Sequence, residues 1–122
     1  MHLVSNIFVG FVAIEHLMFL YMEMFLWTKP LMLKRFEMTA SYAASTASLA
    51  KNMGLYNGFL GAGLIWSLFT SDPVMAHSLK MFFLVCAFIA GIFGGLTAFY
   101  RILFVQAFPA GIALIFIKVS GA

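Results

Sequence analysis

Long apolar runs, broken at a few points by proline, glycine and charge, dominate this chain. Leu3 to Trp27 is nearly all apolar and stops at Thr28-Lys29-Pro30, where the proline drives the residue before it out of helical conformation. Residues 28–48 form the one polar stretch, with Lys29, Lys34, Arg35 and Glu37 followed by a run of small residues, Ala40 to Ser48. Part of that stretch suits a short interfacial helix. A second apolar run covers about 49–69 and ends at Thr70-Ser71-Asp72-Pro73, a turn in which Asp or Ser can cap the helix that follows the proline. The third run covers about 74–100, and Arg101 marks a tight connection to a fourth at about 102–119, which carries Gln106 and Pro109. A membrane span takes about 20 apolar residues. The pattern therefore predicts an all-α, polytopic membrane protein, a bundle of four transmembrane helices in one domain (spans about 3–27, 49–69, 74–100 and 102–119).

Composition closes off the soluble alternative. Of 122 residues, 64% are hydrophobic and 9% charged, whereas a soluble domain of this size carries about a quarter charged residues. The first run is no cleaved secretory signal, because Glu15 and His16 interrupt its centre and no small-residue cleavage site follows. Four spans put both termini on one side. Lys29, Lys34, Arg35, Lys51 and Arg101 then share the side of the first and third connections, while His2, Asp72, Lys80 and Lys118 share the other. Positive charge marks the cytoplasmic side. Both termini are expected in the periplasm or its equivalent, with residues 28–48 cytoplasmic. The net charge of +3 follows from this topology, and no nucleic-acid partner is expected. The lone Cys86 excludes an internal disulfide, a Cys-based zinc site and an iron–sulfur cluster.

Small residues set the expected packing. Gly54-x-x-x-Gly58 with Gly61 lies on one face of the second span, and Gly91-x-x-x-Gly95, Ala87 and Ala90-x-x-x-Gly94 make a smooth strip on the third. Such strips allow close backbone contact, within one chain or between chains.

The sharpest chemistry lies in the first span. At about 100° per residue, Glu15, Phe19, Glu23 and His16 fall at about 0°, 40°, 80° and 100°, so two carboxyl groups and an imidazole share one face. A charge at the bilayer centre costs about 2.5–3.5 kcal/mol even on the lenient insertion scale, so these groups are expected to face the bundle interior. They either share a proton there as a functional site or serve as hydrogen-bonded struts. Glu23, close to Trp27, can also reach the interface and pair with Lys29 or Arg101. Asn52 and Tyr56 stand four apart on the second span with Asn57 beside them, and offer donors to a carboxylate or a ligand. Arg101 enters from the same side, with Gln106 about one turn deeper. Pro109 removes a backbone donor and bends the fourth span. No metal is expected, since Glu15 and His16 point about 100° apart and His77 lies at a different depth. No phosphate loop, Ser-His-Asp pattern or other cofactor motif is present.

Taken together, Glu15-His16, Tyr21-x-Glu23-Met24-Phe25-x-Trp27, Asn52-x-Gly54-Leu55-Tyr56-Asn57-Gly58 and Val105-Gln106-x-x-Pro109-Ala110 make a pattern. It resembles the small bacterial membrane family catalogued as domain of unknown function thirteen-oh-four, over essentially the whole chain. The resemblance implies a four-span protein of the bacterial inner membrane and points to Glu15, His16, Glu23, Asn52, Tyr56, Asn57 and Gln106. Members sometimes carry an epimerase label, but these residues offer no sugar or nucleotide site.

Three functions fit the residues. A carrier or binding protein for a small hydrophobic or amphipathic molecule, coupled to protons through Glu15 and His16, needs a partner chain, a homo-oligomer in the bilayer. A membrane enzyme of isomerase type uses Glu23 and His16 as acid and base, with Asn52, Tyr56 or Arg101 on the polar head of a lipid-soluble substrate. An accessory subunit docks its polar face to a larger complex. The first demands water reaching Glu15, the second a closed pocket ending at Glu15, His16 and Glu23, and the third fully satisfied groups with no cavity.

Overall fold

Proline and glycine punctuate the helices where the sequence pattern placed the breaks. The computed structural model describes residues 2–122, which are helical apart from short connections. Helix α1 (His2–Tyr21) runs on through one wide π turn, Met22–Leu26. Lys29, ahead of Pro30, is extended (ψ 152°), as a residue before proline must be, and Pro30 opens the short α2 (Pro30–Arg35). A short helix was expected within residues 28–48, and α2 is one. Glu37 reverses the chain with φ at 55°, and Thr39 caps α3 (Ala40–Phe69) by accepting a hydrogen bond from the Tyr42 amide at 3.1 Å.

Helix α3 starts nine residues before the expected Leu49, so residues 40–48 are helix where the sequence reading placed a polar loop. The physical reason is local. Alanine has the best helix propensity, and the hydroxyls among these alanines bond back to the preceding turn, Ser45 to the Tyr42 carbonyl at 2.9 Å and Thr46 to the same carbonyl at 2.8 Å. Asp72 caps α4 (Pro73–Thr97) through the Val74 amide, with Pro73 in the first turn, as the Thr70–Pro73 sequence predicts. The amides of Ala98 and Phe99 then close on the Gly94 carbonyl, which ends α4 three residues before Tyr100. A second π turn, Leu103–Ala107, leads into α5 (Phe108–Ser120), and Gly121 stops it in the left-handed conformation (φ 74°).

Three helical segments, His2–Leu26, Pro73–Thr97 and Leu103–Ser120, are long and apolar enough to cross a membrane. At about 1.5 Å per residue, 25 residues reach about 37 Å, more than the hydrocarbon core of a bilayer. Four spans were expected. Helix α3 has 30 residues and so the length, but Lys51, Asn52, Asn57 and its glycines hold it below the apolarity of the others.

The four long helices contact one another in a ring, α1 against α3 and α5, and α4 against α3 and α5. One half of the ring is sealed. Val9, Val12, Ala13, Leu64, Leu84, Ala87, Ala110, Ala113 and Ile117, drawn from α1, α3, α4 and α5, form a closed core there. Large apolar side chains such as Leu3, Ile7, Ile14, Phe69, Val74, Phe93 and Leu96 point outward instead, an arrangement suited to lipid rather than water.

Candidate functional site

The other half of the ring opens because two glycine strips seat the two π turns. A Cβ on Gly54 would lie 2.8 Å from the Met24 side chain, 3.0 Å from Glu23 Cβ and 3.2 Å from the Leu20 carbonyl. A Cβ on Gly91 would lie 2.5 Å from the Ala107 amide nitrogen, and one on Gly95 would run into Leu103. Only glycine lets the backbones come this close, so Gly54, Gly91 and Gly95 are spent on contacts within the chain. Pro109, two residues beyond the second π turn, has no N–H to offer the Val105 carbonyl and crowds it, and the widened turn accommodates that carbonyl. Each π turn aims one polar side chain inward: Glu23 from the first and Gln106 from the second, both buried.

Between them lies a cleft of about 1070 Å³, walled by α1, α3, α4 and the second π turn, with Arg35 and Arg101 also on its border. Its walls are largely apolar and include Phe11, Met18, Phe19, Met53, Phe59 and Leu60. Glu15 lines it, and one of its carboxyl oxygens, Oε1, is buried with no hydrogen-bond partner. Glu23 is held differently, accepting a hydrogen bond from Asn57 Nδ2 at 2.5 Å. A smaller groove of about 290 Å³, between Ile7, Phe8 and Phe11 of α1 and Phe108, Pro109 and Ile112 of α5, has an apolar lining and no polar side chain.

The expected site residues therefore divide. Glu15, Glu23, Tyr56, Asn57, Arg101 and Gln106 all border the cleft. His16 is fully buried behind it, with its ring edge-on to Phe19 at 5.2 Å. Its Nδ1 donates to the Val12 carbonyl at 2.8 Å, which leaves Nε2 to accept from Gln106 Nε2 at 2.9 Å. Both ring nitrogens are thus engaged by groups other than the two carboxyls, and the imidazole meets the cleft through Gln106. Asn52 stands apart, exposed and bonded to the Ser48 carbonyl of its own helix at 3.0 Å. Glu23 takes Asn57 rather than Lys29 or Arg101. Arg101 is exposed and stacks over Phe99 (5.5 Å) and Tyr100 (5.9 Å). The Tyr100 hydroxyl beside it, and less strongly the Glu37 carboxylate, raise its pKa above the ordinary guanidinium value.

Two cleft residues escaped the sequence reading. Arg35 borders the cleft because Phe36 packs on Phe99, with ring centroids 5.8 Å apart, and so ties the end of α2 to the α4–α5 connection. Cys86 lines it together with Ala90 and Gly94. Their i, i+4, i+8 spacing was the available signal, but it reads equally as a packing strip. In the fold, Ala87, Gly91 and Gly95 do the packing and the neighbouring row faces the cleft.

An apolar cleft at the upper end of small-molecule pocket sizes, with carboxyl groups at a few points, can hold an organic molecule and exchange protons with it. The chain matches the family model described as Protein of unknown function (DUF1304) over residues 10–118. A relative, Uncharacterized protein YpaA of Lactococcus lactis subsp. lactis (strain IL1403), is 30% identical over 106 residues, 85% of this chain and 87% of that one. No solved structure matches the chain. The family is the one that the Glu15-His16, Tyr21–Trp27, Asn52–Gly58 and Val105–Ala110 motifs resemble, and the chain belongs to it, the DUF1304 family.

Proposed function

We propose that this is a four-span protein of the bacterial inner membrane whose cleft binds or carries a small hydrophobic or amphipathic molecule, coupled to protons through Glu15. The observation that carries the reading is the cleft of about 1070 Å³ lined by Glu15, one carboxyl oxygen of which is buried without a partner. A fourth span follows if α3, packed between α1 and α4, turns its glycines and Asn57 inward and Leu49, Leu55, Trp66 and Phe69 toward lipid. Positive charge at Lys29, Lys34, Arg35 and Arg101 then places that end of the bundle in the cytoplasm and both termini outside.

The cleft and the unsatisfied Glu15 count against a purely structural accessory subunit, for which a filled core and paired polar groups were expected. The isomerase reading has less support than the carrier, because His16 has both nitrogens engaged by Val12 and Gln106 and contacts neither carboxyl.

The test is native mass spectrometry in mild detergent with a neutral apolar probe, comparing wild type with Ala90→Phe, whose ring would fill the cleft beside Gly94. Saturable binding of the probe to wild type, lost in a helical and monodisperse Ala90→Phe, supports the reading, and the same spectra report the oligomeric state that a carrier of four spans requires. Equal binding by both proteins, or none by either, overturns it.

A further inference from the structure

The carboxyls of the cleft narrow the class of its occupant. The carboxyls that line the cleft are Glu15 and Glu23, on one face of α1 and its π turn, and the thiol of Cys86 and the phenol of Tyr56 line it as neutral groups. Glu23 has Asn57 as a neutral donor, but Glu15 Oε1 is buried with no donor at all. A buried acceptor left unpaired is costly, and a donor carried by the ligand removes that cost. Two guanidiniums line it as well, but from exposed positions. Arg35 and Arg101 are exposed on the border, and Arg101 is taken up by Phe99 and Tyr100 with Glu37 nearby. Aromatic side chains line the same cleft, Phe19, Phe59 and Tyr56 among them, and aromatic faces attract cations.

We infer that the cleft selects a lipophilic organic cation with an N–H donor, such as a protonated aromatic amine, whose ammonium group bonds to Glu15 while its apolar body lies against the aromatic wall. The inference rests on the reading that the cleft is a binding site, and deepens it by naming the chemical class.

Three acridines of one ring system separate the possibilities at neutral pH: 9-aminoacridine is a cation with N–H donors, acridine is neutral, and acridine-9-carboxylate is an anion. Each is titrated into the full-length protein in a non-ionic detergent by fluorescence. Protection of Cys86, which is the chain's single cysteine and lines the cleft, from a maleimide locates the bound probe. The expected result is that 9-aminoacridine binds at least about tenfold more tightly than acridine, the factor for one charge-assisted hydrogen bond. The cation should also protect Cys86, and the ratio should fall toward one in Glu15→Gln. Equal affinity of cation and neutral ring overturns the cation inference and leaves the binding site standing. Tightest binding of the anion overturns it in favour of Arg35 and Arg101. Failure of all three to bind or to protect Cys86 overturns both. If Glu15→Gln does not fold, the wild-type order of affinities still decides.

Discussion

Replacing Gly91 by alanine tests the claim that glycine seats the second π turn, and Gly94 supplies the control within the same helix. A methyl group on Gly91 would stand 2.5 Å from the Ala107 nitrogen and 2.8 Å from both its Cα and Cβ, whereas ordinary contact begins at 3.4 Å. The π turn would have to retreat by about 0.9 Å, and because the obstruction is backbone, no rotamer change relieves it. On Gly94 the same methyl meets only the Ile102 side chain, at 3.4 and 3.5 Å. Both substitutions gain the helix propensity of alanine, about 0.5–1 kcal/mol, so their difference isolates the clash. Overpacking of this kind costs about 1–3 kcal/mol, or about 5- to 150-fold in the unfolding constant. Equilibrium unfolding in mixed micelles of dodecyl maltoside and dodecyl sulfate, followed by helical circular dichroism, measures it. If Gly91→Ala is as stable as Gly94→Ala, the π turn is not seated by the glycine and the account of the open half is wrong.

Asn57→Leu removes the donor to Glu23 and should destabilise by about 1–3 kcal/mol in the same assay; unchanged stability would mean that Glu23 does not depend on Asn57. Nitrogen-15 spectra of histidine-labelled protein should show His16 neutral with its proton on Nδ1, and Gln106→Leu should shift the Nε2 resonance; a proton on Nε2 would contradict the hydrogen bond from Gln106. Thr46→Val deprives the Trp27 indole N–H of its acceptor, at 3.0 Å, and should cost about 0.5–1.5 kcal/mol while shifting Trp27 emission; identical emission spectra would rule that bond out.

Most of the site was legible before any coordinates because polar residues are conspicuous in an apolar chain. Glu15, Glu23, Asn57 and Gln106 stand out against hydrophobic neighbours, and all four border one cleft. Helical periodicity placed His16 on the same face as the carboxyls, but it sits about 100° from Glu15, and that rotation carries its ring behind the cleft into the core. Asn52 stands outside the cleft for a related reason: sharing a helix face with Tyr56 does not bring it there, because Tyr56 itself lies at the rim, largely exposed. The helix start at Ala40 was missed because hydroxyls read as loop in water, whereas here they bond to their own helix.

The sequence by itself determined the all-α class, the breaks at Pro30, Pro73 and Arg101, and the family, because apolar runs, prolines and motif residues act locally along the chain. Tertiary structure alone decided which half of the helix ring closes and which opens. That choice depends on backbones meeting across glycines at Gly54, Gly91 and Gly95, and on two π turns that change the helical phase by a fraction of a turn. No periodicity computed at 3.6 residues per turn contains such a phase change.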